Sequence, residues 1–190
     1  MVTSLALYLA LLGLVAVERV VELVLSRRNA RLAFARGGVE FGARHFPVMA
    51  ATHTAFLVSC ALEPILFERA APGLLGIVAL VITAAAQGLR WWAASTLGER
   101  WNVRIIVVPG DPPVDAGPYR FMRHPNYLAV IAELLALPLI HGAYVTALVF
   151  SLANLALLAV RIPAEEQALG DPYAKQFDTR ARFVPGRPRS

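Results

Sequence analysis

The chain has 190 residues, 57% of them hydrophobic and 16% charged, which is more apolar side chain than a soluble domain of this length can bury. The formal charge of +5 reads as membrane topology rather than nucleic-acid binding, because in an apolar chain basic residues collect in cytoplasmic loops and face anionic head groups. The single cysteine, Cys60, excludes an internal disulfide and lies in an apolar run, so it reads as a small buried hydrophobe with no metal role.

The first span is expected over residues 4–25, long enough to cross a bilayer and without the basic leader and small-residue cleavage site of a secretory signal. Within it Glu18 and Glu22 lie four apart with Arg19 beside them, a grouping that packs inward or sits at the interface. Arg27, Arg28, Arg31 and Arg36 follow, and a polar stretch from Gly37 to Phe46 leads to Pro47. That proline suits the first turn of a second span over residues 47–67, where its missing N–H is unpaired anyway. A third span over residues 72–92 ends on Trp91 and Trp92, ring types that favour the head-group level.

From Ala94 to Arg123 the chain is not apolar and is broken by Pro109, Gly110, Pro112, Pro113, Gly117 and Pro118. A loop of that length in a compact protein is usually functional. Pro125 opens a fourth span to about Ile140, Gly142 opens a fifth to about Ile162, and the tail from Pro163 is polar again. The expected fold is all-α: a polytopic membrane protein of about five transmembrane helices in one domain over residues 1–190. Three spans occupy 1–93, and a loop, a helical hairpin and a tail occupy 94–190. Of the 18 basic residues, Arg69 alone falls in a loop of the far side and Arg19 lies within the first span. The N-terminus is therefore expected outside and the C-terminus in the cytoplasm, with the long loop and tail on the cytoplasmic face.

Chemistry concentrates in Gly117-Pro118-Tyr119-Arg120-Phe121-Met122-Arg123-His124-Pro125-Asn126-Tyr127, at the start of a span. A helix N-terminus favours anions, and the tyrosines offer hydroxyls on flat apolar rings; an interfacial belt of side chains reaching for head groups fits the same residues. A second cluster, Arg161-Ile162-Pro163-Ala164-Glu165-Glu166, closes the fifth span. If the helix continues through Pro163, Arg161 and Glu165 share one face, as an ion clamp or as a boundary ion pair. Glu133 lies two turns into the fourth span, where it lines a substrate cavity, receives a proton, or pairs with a structural partner such as Arg90. His53 and Gln87 read as interhelical hydrogen-bonding residues, and His45 and His141 as head-group contacts.

The pattern G-x-Y-x-x-x-R-H-P-x-Y from Gly117 to Tyr127, a hydrophobic hairpin, R-x-x-x-E-E from Arg161, then Tyr173 and Arg182-Phe183-Val184-Pro185 resembles the isoprenylcysteine carboxyl methyltransferase family. The resemblance covers roughly Trp101 to Pro185. It implies an S-adenosylmethionine-dependent membrane methyltransferase with a cofactor pocket on the cytoplasmic side and no metal. Val114, Tyr119, His124, Pro125, Tyr127 and Glu165 are the implied cofactor residues, with Arg161 and Glu165 as the catalytic pair. Arg161 is also a substrate residue, joined by Glu133 from the span reading above. The segment Arg104 to Val114 is shorter than in the eukaryotic enzymes and lacks their His and Gln; Arg104 is the candidate replacement.

Together with Val39-Glu40-Phe41-Gly42, that loop looks like the bacterial branch found beside type III polyketide synthases. The implied acceptor is an alkylpyrone or alkylresorcinol, supplied by such a synthase and reached through membrane lipids. Alternatives within the class are a prenylcysteine carboxylate or a phospholipid amine. A membrane NADPH-dependent reductase, whose C-terminal helical pocket is similar, is the alternative enzyme class, and a non-catalytic scaffold is the third.

Overall fold

A computed structural model describes residues 2–184; Pro185, the last residue of the closing motif, lies outside them. Five α-helices run in chain order: α1 (Val2–Ala35), α2 (His45–Leu66), α3 (Leu74–Leu97), α4 (Pro125–Leu139) and α5 (Tyr144–Phe177). Three of them, α2, α3 and α5, are long and apolar enough to cross a membrane, and α4 is a shorter apolar helix. The outward faces carry exposed Leu14, Val17, Leu62, Ile77, Leu148 and Leu152, the arrangement expected where lipid rather than water is the neighbour. The inward faces of α1, α2 and α4 meet in a core of Tyr8, Leu12, Phe56, Cys60, Leu134 and Leu137. Cys60 is fully buried there, as its apolar setting predicts.

Two helices outrun their expected ends. α1 continues past Leu25 through Arg27, Arg28 and Arg31 to Ala35, about 50 Å in all, so its basic second half projects beyond a hydrocarbon core of about 30 Å. α5 passes through Pro163 without leaving helical geometry and bends only at Gly170, where φ is 67° and ψ is −163°. Its start is held by Glu63 of α2, whose carboxylate accepts the N–H groups of Val145 at 3.1 Å and Thr146 at 2.7 Å and the Thr146 hydroxyl at 2.7 Å. A carboxylate on the first-turn N–H groups satisfies donors that a helix leaves unpaired and opposes the positive end of its dipole.

Between α1 and α2 a short strand, β1 (Val39–Phe41), pairs antiparallel with β2 (Ile105–Val107) from the long loop. No alternation in the sequence announces this ribbon; Val39 faces Val107 and Phe41 faces Ile105 across the whole of α2 and α3. The ribbon ties the long loop to the projecting end of α1. Asn29 donates to the carbonyls of Gly98 and Trp101 at 3.1 and 2.8 Å, Ser26 donates to Asn102 at 2.7 Å, and Arg36 pairs with Asp111 at 2.7 Å.

His141, expected at the head groups, is buried instead. Its ring stacks on Tyr8 with centroids 5.4 Å apart, and its Nε2 meets the Ser4 hydroxyl at 3.3 Å. The α4–α5 turn folds back over α1, which a one-dimensional span boundary does not reveal.

Candidate active site

Beneath the loop and the ribbon lies a cavity of about 360 Å³, within the range of small-molecule sites. Val114, Tyr119, His124, Tyr127, Arg161 and Glu165 all line it, and so does Arg104. The structure thus gathers seven of the nine candidate residues from four separate stretches of chain. Pro125 is fully buried as the first residue of α4 and serves the helix start. Glu133 is not among the residues that line this cavity; it lies 3.5 Å from Arg90 and 3.5 Å from Arg19 in an ion cluster among α1, α3 and α4, the structural partnership with Arg90 that the sequence also offered.

Because α5 stays helical through Pro163, Arg161 and Glu165 fall on one face, and Tyr127 of α4 stands between them. Tyr127 donates its hydroxyl proton to Glu165 and accepts from Arg161 Nε at 2.8 Å. Arg161 Nη2 donates to the Val103 carbonyl at 2.5 Å. That carbonyl is fixed in turn: the Val103 N–H donates to the Ser26 hydroxyl at 3.2 Å, and Asn102 Nδ2 donates to the Ser26 carbonyl at 3.1 Å. Arg161 is buried, makes no ion pair among the described residues, and has no hydrogen bond on Nη1. Among the described residues, no carboxylate lies within ion-pair distance of this guanidinium, and Glu165 is reached only through the Tyr127 hydroxyl.

Around this core the walls are aromatic. His124 lies 5.4 Å from the Tyr127 ring and 6.4 Å from Tyr173, and Tyr173 lies 4.6 Å from Phe177. Tyr173 is buried with its hydroxyl unpaired, and Asn126 Oδ1 is buried and unpaired on the same wall. Gly117 permits the sharp entry into the Tyr119 turn (Gly117–Arg120): its φ is +52°, and a Cβ there would collide with Thr96 and come within 3.1 Å of Trp92 Nε1. Arg104 reaches the cavity with its guanidinium already paired to Glu40 of β1 and lying over the Phe34 ring at 5.5 Å. It is therefore a fixed wall rather than a free donor.

Three residues that the sequence reading left out complete the frame. Glu166, the second carboxylate of the E-E pair, meets His124 Nε2 at 3.0 Å and Arg182 at 2.6 Å. Asp115 and Arg180 close a clasp: Arg180 donates to Asp115 at 2.7 and 3.0 Å and to the Tyr119 carbonyl at 2.9 Å, while Gln176 donates to Asp115 at 2.6 Å. The tail is further stitched to the α4 start, with the His124 N–H on the Arg182 carbonyl at 3.0 Å and the Arg123 N–H on the Ala181 carbonyl at 3.1 Å. The E-E doublet was visible in sequence; the clasp, between a loop and a tail, had no local signal.

Hydrogen bonds from the Arg180 guanidinium hold the Asp115 carboxyl below its ordinary range. A carboxylate whose folded pKa is depressed contributes stability that is present above its unfolded pKa and lost as pH falls through the folded one. The clasp is therefore expected to be intact near neutral pH and to loosen as pH falls below about 4, seen as faster amide exchange over residues 178–184. Asp115→Asn should show the same loosening at neutral pH; unchanged exchange in that variant would contradict the role given to the clasp.

The fold and the cavity define a helical membrane protein with an aromatic, carboxylate-bearing chamber set between a loop cap and lipid-facing helices. The sequence matches the isoprenylcysteine carboxyl methyltransferase (ICMT) family over residues 77–171, and the chain belongs to that family, one of membrane methyltransferases. Uncharacterized protein YpbQ of Bacillus subtilis (strain 168) is 40% identical over 166 residues, spanning 87% of this chain and 98% of that one. An uncharacterized protein of Haemophilus influenzae (strain ATCC 51907 / DSM 11121 / KW20 / Rd) is 30% identical over 162 residues, spanning 83% and 91%. The structure of the eukaryotic intramembrane Ras methyltransferase ICMT superposes with a TM-score of 0.55 at 22% identity, over 73% of this chain and 52% of that one. The chain thus spans about half the length of that structure, and the likeness is one of fold.

Proposed function

We propose that the protein transfers a methyl group from S-adenosylmethionine to an oxygen of a lipophilic acceptor, with an alkylpyrone or alkylresorcinol as the acceptor class. The observation that carries this reading is Arg161: a buried cation without an ion pair among the described residues, on the same helix face as Glu165, inside an aromatic cavity. The donor set fits the cofactor. Tyrosine faces and the Glu165 carboxylate suit a sulfonium cation, and the orphaned Tyr173 hydroxyl and Asn126 Oδ1 suit a nucleoside and an amino-acid group. Bound there, S-adenosylmethionine supplies an electrophilic methyl group.

The chain's own residues then have to align and to exclude water. Arg161 holds the ionised acceptor oxygen; a carboxylate or an acidic enol arrives ionised, whereas a resorcinol hydroxyl must first give up its proton, for which Glu165, linked to Arg161 through the Tyr127 hydroxyl, is the carboxylate at hand. Tyr127, held between Arg161 and Glu165, keeps the two at a fixed spacing. The His124–Glu166–Arg182 chain and the Asp115–Arg180 clasp keep the tail closed over the site. In this reading the loop and tail face the cytoplasm and the N-terminus lies outside, a topology supported by the basic residues collected at that end. A polyketide synthase is the proposed source of the acceptor.

Calorimetry of the purified protein separates the classes. Binding of S-adenosylmethionine and not of NADPH is the expected result. Binding of NADPH alone would transfer the cavity to a reductase, and binding of neither would leave a scaffold. A prenylcysteine carboxylate stays as the second acceptor within the class, because Arg161 suits any oxyanion.

A further inference from the structure

On α5, Asn154, Leu158, Arg161 and Glu165 follow the helical repeat and all line the cavity. The last two belong to the transfer site. Asn154 stands about two turns before Arg161, roughly 10 Å further along the helix, in the apolar body of the bundle. It is 3% exposed, and among the described residues its Nδ2 has no hydrogen-bond partner. From α3, Arg90 reaches the same cavity, its Nη1 buried and ion-paired with Glu133 at 3.5 Å. An orphaned amide at that depth is destabilising unless something supplies an acceptor atom, because no water replaces the missing partner. Apolar Leu57, Val130 and Leu158 line the cavity too, together with His53 and Thr54 of α2.

We infer that Asn154 is the specificity-determining residue for the acceptor: its amide donates to a second, neutral oxygen of the lipophilic molecule whose ionised oxygen rests on Arg161. The inference rests on the methyl-transfer reading and narrows its substrate. Neutrality follows from the charges nearby. Arg19 and Arg90 face Glu18, Glu22 and Glu133, so the ion cluster has no surplus positive charge for another anion. Helical side chains lean toward the helix N-terminus, so Arg161 itself covers part of the interval to Asn154. A single oxygenated ring bearing an alkyl chain therefore bridges the two, whereas an acceptor with one oxyanion and a bare hydrocarbon body leaves Asn154 unsatisfied.

The test uses the full chain in nanodiscs with S-adenosylmethionine and two chain-matched acceptors, a 5-alkylresorcinol and a 3-alkylphenol, which differ by one ring hydroxyl. The wild type is expected to prefer the resorcinol by about tenfold or more in kcat/KM, expressed in KM. Asn154→Ala should erase that preference by bringing KM for the resorcinol to that for the alkylphenol, with affinity for S-adenosylmethionine measured alongside as the check on the cofactor half of the cavity. Asn154→Leu, which keeps the volume and removes every hydrogen-bonding atom, should erase it too. The preference is a ratio within one preparation and so is independent of the folded fraction. A preference retained in both variants, or absent in a wild type that binds cofactor and turns over, overturns the inference alone. A wild type that binds no S-adenosylmethionine overturns the reading beneath it.

Discussion

Arg161→Ala is expected to lower methyl transfer by about a thousandfold, the scale set by losing alignment and charge stabilisation together, while affinity for S-adenosylmethionine changes little. Among the described residues the guanidinium is a buried cation of the cavity without an ion pair, and its bonds go to the Val103 carbonyl and the Tyr127 hydroxyl. Removing it takes away the acceptor's counter-charge and loosens the loop at Val103. Arg161→Lys tests which loss matters. A lysine restores the charge but cannot hold Tyr127 and Val103 in the fork of a guanidinium, so partial recovery of kcat with a raised acceptor KM is expected. Calorimetry on each variant separates the alternatives. A variant that loses cofactor affinity yet turns over normally once loaded would move Arg161 from the acceptor to the cofactor.

The helices were legible because a membrane imposes long apolar runs, and Pro47, Pro125 and Gly142 fall within a few residues of the starts of α2, α4 and α5. Their ends were less so. The overrun of α1 past Leu25 is written in Arg27, Arg28 and Arg31, good helix formers that a hydropathy reading takes for a loop. Strands β1 and β2 are three residues each and exist through one another, across two intervening helices, so no local period could disclose them.

Of the site, the residues on helices were the easiest to foresee. Arg161 and Glu165 are related by the helical repeat alone, and continuity through Pro163 was the one condition their pairing needed. Tyr127 joins them because α4 and α5 form a hairpin. Arg104 was harder: position brought it to the cavity, and Glu40 of β1 then claimed its charge. Asp115, Arg180 and Asn154 draw their roles from contacts between distant segments or from lacking one, and neither state is visible in a linear pattern. For Glu133 the sequence offered a cavity role, a proton-accepting role and a structural pairing, and the last depended on where α3 placed Arg90.

That pairing leads to the largest expected effect on stability. Arg90 donates to Glu22 at 2.5 and 2.8 Å and lies 3.5 Å from Glu133, while Arg19 meets Glu18 at 2.9 Å and Glu22 at 2.6 Å. Gln87 donates to Glu18 at 2.6 Å. Arg90→Met leaves two carboxylates short of their partner in a medium that does not solvate them, and breaking a buried pair from one side costs about 3–5 kcal/mol. The thermal midpoint in detergent, read at a fixed scan rate, should fall accordingly. Arg90→Met combined with Glu22→Met is expected to recover most of the loss, since Arg19 still faces Glu18 and Glu133, and apolar replacement of a whole buried pair is often neutral. The two variants remove similar packing volume at Arg90 and differ in whether Glu22 is left behind. A double variant as unstable as the single one would show that α1, α3 and α4 are joined here by the fit of the arginine side chain rather than by compensation of charge.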